Sequence, residues 1–126
     1  MNIFKWLSPK KNKRVSADTT KRVLAEWRSI NDLVSNGQSL QLRQALISAD
    51  KTLDNVLRDY YDGTTMGERL IAAKDKFDPA TYNKVWQAHK TRNALVHESG
   101  FEAPASMLKD HVRTIRNALY IFGIKI

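Results

Sequence analysis

From Ala17 onward, apolar residues recur every three or four positions rather than every second one, and Val, Ile and Thr never cluster. This period predicts helices and calls for no β-sheet. The first stripe, Val23, Leu24, Trp27, Ile30, Leu33 and Val34, predicts a helix over about 19–36 with Asn36-Gly37 as its stop. A second stripe begins after Ser39 and carries Leu42, Ala45, Leu46, Ala49, Leu53, Val56, Leu57 and Tyr60; it ends near Tyr61, before Asp62-Gly63. Thr65 and Glu68 fit a capping box that opens a short helix over about 66–76, with Leu70, Ile71 and Phe77 on its buried side. At Asp78-Pro79 the carboxylate can cap free amides while Pro takes the first helical position, so a fourth helix is expected over about 79–97. It carries Tyr82, Val85, Trp86, Ala88, His89, Leu95 and Val96 and closes at Ser99-Gly100. A last helix, about 105–122, carries Met107, Leu108, Val112, Ile115, Leu119 and Ile121.

Short connections favour antiparallel neighbours, so the expected fold is all-α: an up-and-down bundle of four long helices plus one short helix. A length of 126 residues suits one domain, placed at 17–126 behind an N-terminal arm at 1–16. The absence of Cys excludes disulfides, thiolate nucleophiles and cysteine-ligated metal sites. No apolar run approaches the roughly 20 residues of a membrane span, and the N-terminus lacks the layout of a secretory signal. The expectation is a soluble, cytoplasmic protein with no cofactor.

Charge refines this picture. The net value of +8 points toward an acidic partner, such as nucleic acid or anionic lipid. Residues 1–16 hold five basic side chains and no acid, residues 17–83 nine basic and ten acidic, and residues 84–126 seven basic and three acidic. The arm admits two readings. Ile3, Phe4, Trp6 and Leu7 dip into the headgroups of an anionic membrane while the Lys run adds about 1 kcal/mol per charge, making the protein peripheral at the inner face. Otherwise the arm is flexible and its aromatics pack loosely on the domain.

The second basic region surrounds the one segment with chemistry in it, Lys90-Thr91-Arg92-Asn93-Ala94-Leu95-Val96-His97-Glu98. Asn93 and His97 are four apart on a helix and share a face, with Arg92 adjacent. A neutral His can move a proton near pH 7, and a guanidinium binds phosphate oxygens as a fork. In RNA the 2′-OH would attack the adjacent phosphorus, with His97 in proton transfer and Arg92 countering charge, and no metal is needed.

Arg92-Asn93 followed by three residues and His97 resembles the signature of HEPN domains (higher eukaryotes and prokaryotes nucleotide-binding), and the helix order over about 19–123 is similar. The resemblance implies an RNA-binding domain and a metal-independent endoribonuclease of toxin or defence type. Its two Arg92/Asn93/His97 motifs would meet across a homodimer, and a cognate antitoxin is an implied partner. Many HEPN-like domains are non-catalytic.

A second reading stays open beside this one. His97 then complements the helix dipole, Arg92 pairs with Glu98 or Glu102, and the chain is a non-catalytic helical interaction module, membrane-associated through its arm. Lys109, Arg113 and Arg116 recur along the last helix, either as a solvated face or, with Lys90, as a phosphate-tracking wall of the RNA site. His89 reads as a core residue beside Trp86 or as a second lining of the same cleft.

Overall fold

The computed structural model describes residues 14–126. The expectation of membrane contact through Ile3, Phe4, Trp6 and Leu7 lies outside the described residues. The described residues form five α-helices and one 3-10 turn, with no strand among them. The helices are α1 (Ala17–Asn36), α2 (Ser39–Tyr60), α3 (Met66–Ala72), α4 (Pro79–His97) and α5 (Ala105–Ile121); the turn, Lys74–Lys76, follows α3.

Local chemistry accounts for the boundaries. Ser16 Oγ accepts from the Thr19 amide at 3.1 Å and begins α1 at Ala17, two residues before the expected start near 19. Gly37 ends α1 at φ 74°, a left-handed conformation in which a Cβ would be strained, and its N–H reaches Leu33 O at 3.2 Å. At α3, Thr65 Oγ1 caps the Glu68 amide at 3.1 Å while Glu68 Oε2 reaches back to the Thr64 amide at 2.9 Å. Asp78 Oδ1 accepts from the Thr81 amide at 2.9 Å ahead of Pro79. A cap of this kind is worth about 1 kcal/mol. Where one short helix over about 66–76 was expected, the α-helix stops at Ala72 and the chain tightens into the 3-10 turn, with Phe77 still buried.

Cross-helix contacts establish the direction of each element. The Ser16 amide donates to Asp59 Oδ2 at 2.9 Å, and Trp27 Nε1 donates to Thr52 Oγ1 at 3.0 Å, so α1 and α2 run antiparallel. Asp50 meets His89, and Arg43 Nη1 reaches Phe101 O at 3.0 Å, which sets α4 against the direction of α2. Thr91 Oγ1 lies 3.0 Å from His111 Nε2, pairing α4 with an antiparallel α5. The four long helices therefore run up, down, up, down, and α2 packs against α1, α3, α4 and α5.

The core follows from that centrality. Leu42, Leu46, Leu53 and Leu57 of α2 are fully buried, together with Trp27, Ile30, Leu108, Ile115 and Leu119 from its neighbours. Each such side chain contributes about 1.5–3 kcal/mol when buried. One end of the bundle is aromatic: Tyr60, Phe77 and Phe122 stack with ring centroids 5.0 and 5.9 Å apart. Two acids also lie along α2, buried Asp50 and half-buried Asp54, and they lead to the site.

Candidate functional site

Asp50 occupies the apolar stripe of α2 between Leu46 and Leu53, and only 3% of it is exposed. A carboxylate there costs several kcal/mol unless other elements supply partners. Those partners come from α4. His89 Nδ1 lies 3.1 and 3.2 Å from the two Asp50 oxygens, and Arg92 Nε lies 3.6 Å from Oδ2. Arg92 Nη1 donates to Asn93 Oδ1 at 3.0 Å, and Asn93 Nδ2 stands 3.4 Å from His89 Nε2.

The four side chains form a ring whose hydrogen bonds have a forced direction. Arg92 can only donate, so the Asn93 oxygen turns toward it and the Asn93 amide nitrogen turns toward His89. The Asp50 carboxylate can only accept, so the proton of a neutral His89 sits on Nδ1. Nε2 then accepts from Asn93. Burial pushes the Asp50 carboxyl above its ordinary value of 3.8, and the hydrogen bond from His89 and the positive charge of Arg92 only partly oppose this.

The ring forms the inner wall of a pocket of about 610 Å³ between α2, α3 and α4. Trp86 lines another wall, its ring 5.9 Å from that of His89 and near perpendicular to it. Five basic side chains, Lys51, Arg58, Arg69, Lys90 and Arg92, line the pocket against two acids, Asp50 and Asp54. Arg69 is occupied: Nε and Nη2 grip Asp54 at 2.8 and 3.1 Å, and Nη1 donates to Gly63 O. Arg58 reaches the same carboxylate at 3.3 Å. Lys51 and Lys90 are exposed at the rim and pair with no carboxylate among the described residues.

Of the residues singled out by sequence, Arg92, Asn93 and Lys90 are brought together in this pocket. His97 is exposed at the end of α4, two turns beyond His89 on the same stripe, so that the stripe passes from buried His89 through half-buried Asn93 to exposed His97. Arg92 turns inward to Asp50 and Asn93 rather than outward to Glu98 or Glu102. No residue of α5 lines the pocket. Lys109 is exposed, and Arg113 pairs with Asp110 at 2.9 Å beside a separate groove between α4 and α5. Arg116 leaves the row entirely: it donates to Asn31 Oδ1 at 2.6 Å and lies over the Trp27 ring at 5.5 Å.

Sequence reasoning missed Asp50, whose signal was present as an acid at a position the α2 apolar period requires to be buried. It also missed the Asp54–Arg69 clamp, because Arg69 reads locally as a surface residue of a short helix. Among the described residues, no group of three His, Cys, Asp or Glu side chains could hold a metal ion, and no helix is long and apolar enough to cross a membrane. Compared with known proteins, the chain matches no family model, no curated protein and no solved structure.

Proposed function

We propose that this chain is an HEPN-like RNA-binding domain and a metal-independent endoribonuclease of toxin or defence type, acting as a homodimer. The observation that carries the reading is the position of Arg92 and Asn93 in a cation-rich pocket, with His97 exposed farther along the same helix. Arg92, Lys90 and Lys51 supply positive charge where a phosphodiester would lie, and a guanidinium matches two phosphate oxygens at once. His97 is free to meet substrate or a second copy, as proton transfer across a dimer requires. A basic wall beyond the pocket would come from Lys109 and Arg113 on α5, with Arg116 committed to α1. A cognate antitoxin would act by covering that end of α4.

A second reading is supported by one observation. The ring already links Arg92, Asn93, His89 and Asp50 to one another, as a network whose task is to hold α4 on α2 would do. The chain would then be a non-catalytic interaction module.

RNA cleavage in excess EDTA, comparing wild type with His97→Ala and Arg92→Ala, separates the two. The nuclease reading expects wild-type cleavage and at least a 100-fold loss in each variant, in line with general acid–base contributions of about 10²–10⁴. Intact RNA after incubation with wild type, or equal cleavage by His97→Ala, removes it. Sedimentation equilibrium tests the dimer.

A further inference from the structure

We propose that the pocket between α2, α3 and α4 binds the phosphate ester of a nucleotide, and that the bound phosphate takes the place of Asn93 on Arg92 and so uncovers Nε2 of His89 as a proton acceptor held by Asp50. The proposal rests on the RNA reading and adds three residues to it: Asp50, His89, and Asn93 as their gate.

Arg92 has donors to spare. A guanidinium carries five N–H groups, and in this structure Nη1 alone makes a hydrogen bond, to Asn93. Nε is buried with no hydrogen-bond partner, because Asp50 Oδ2 stands off at 3.6 Å. A buried unpaired donor is costly, and a phosphate offers the pair of oxygens that a guanidinium fork matches. The neighbouring arginine offers no such capacity, since Arg69 has all three of its nitrogens committed to Asp54 and Gly63. Arg58 is exposed and bound through Nε to Asp54, so the arginine that offers a phosphate a buried, unpaired donor is Arg92, with Lys51 and Lys90 at the rim adding charge. The volume of about 610 Å³ lies within the range of about 300–1,000 Å³ common to small-molecule pockets.

The ring makes binding and uncovering one event. Asn93 is held by two contacts, a bond from the Arg92 guanidinium to its neutral amide oxygen at 3.0 Å and a long contact to His89 at 3.4 Å. A phosphate anion that spans Nη1 and an uncommitted N–H of Arg92 competes with the neutral Asn93 oxygen for Nη1 and removes the first of these. Without it, the 3.4 Å contact to Nε2 is what remains of the two and the amide is readily released. His89 itself does not move, because Asp50 grips Nδ1 through both oxygens in a site 3% exposed. The imidazole is left oriented and proton-accepting at the ligand, with Asp50 on its Nδ1 side.

The test reads the imidazole directly and needs no turnover. Full-length protein labelled with ¹⁵N is titrated with uridine 3′-monophosphate, with inorganic phosphate and with uridine, and the His89 ring nitrogens and Asn93 side-chain amide are followed by long-range ¹H–¹⁵N correlation. The expected result is a saturable shift of His89 Nε2 and Asn93 Nδ2 with the nucleotide, weaker with phosphate and absent with uridine, while His111 stays fixed. Arg92→Gln, shown to be folded by circular dichroism, should weaken the response at least tenfold. Asn93→Ala should carry Nε2 toward its ligand-bound position with no ligand added. A His89 resonance that never moves, an equal response to uridine, inorganic phosphate binding as tightly as the nucleotide, or a response intact in Arg92→Gln each overturns the proposal. The two readings fail separately: RNA cleaved through His97 with His89 silent sinks this one alone, whereas a His89 response with RNA left intact sinks the nuclease alone.

Discussion

Asp50 and Asp54 stand one turn apart on α2, each facing an arginine from another helix, yet they are used differently. Asp54 is gripped by a bidentate fork at 2.8 and 3.1 Å from Arg69, whose side chain is 6% exposed. Asp50 is more deeply buried, but its arginine stands off at 3.6 Å and a histidine takes the inner position. The first arrangement saturates both partners and fastens α3 to α2. The second leaves the arginine with free donors, the carboxyl raised by burial, and a pocket in front. Depth of burial alone does not distinguish the two pairs; the number of uncommitted donors does.

The largest expected effect breaks the clamp. Arg69→Met leaves the half-buried Asp54 carboxylate with Arg58 alone and should cost about 3 kcal/mol in urea unfolding. Double-mutant cycles then sharpen the contrast: coupling between Asp54 and Arg69 should reach about 3 kcal/mol, while Asp50 and Arg92, longer and partly exposed, should couple by less than about 1 kcal/mol.

A smaller effect comes from pH. The folded chain keeps the Asp50 proton at pH values where the unfolded chain, with its ordinary value of 3.8, has released it. Stability attributable to Asp50 therefore declines as pH rises from 3.8 through the raised folded value. Subtracting the unfolding free energy of Asp50→Asn from that of wild type across this range should show the decline, with the variant within about 1 kcal/mol of wild type at neutral pH.

The smallest effect has the opposite sign and lies outside both pairs. Burial lowers His111 below its ordinary 6.5, so the unfolded chain takes up a proton first and stability falls as pH drops below 6.5. His111→Gln should flatten that limb of the thermal-unfolding profile and leave the Asp50 limb unchanged.

What could be read from sequence divides by distance along the chain. Thr65 with Glu68, Asp78 with Pro79 and the stop at Gly37 were legible because a cap is a contact over three or four residues. Arg92 and Asn93 were legible as a motif for the same reason. Lys109, Arg113 and Arg116 formed one row in the sequence, but Arg116 turns to Asn31, 85 residues away, and Arg113 turns to Asp110. The spacing placed them on one helix, and contacts from other elements chose their partners.

The sequence by itself determined the all-helical period, the caps and the order of the long helices, because these depend on the chain's own dihedral preferences and nearest neighbours. Only the tertiary structure decided which polar groups meet. His89 finds Asp50 across 39 residues, and Arg92 turns inward rather than toward Glu98. A buried carboxylate must be paired wherever packing places it, and its partner is whichever donor the neighbouring helix brings into reach.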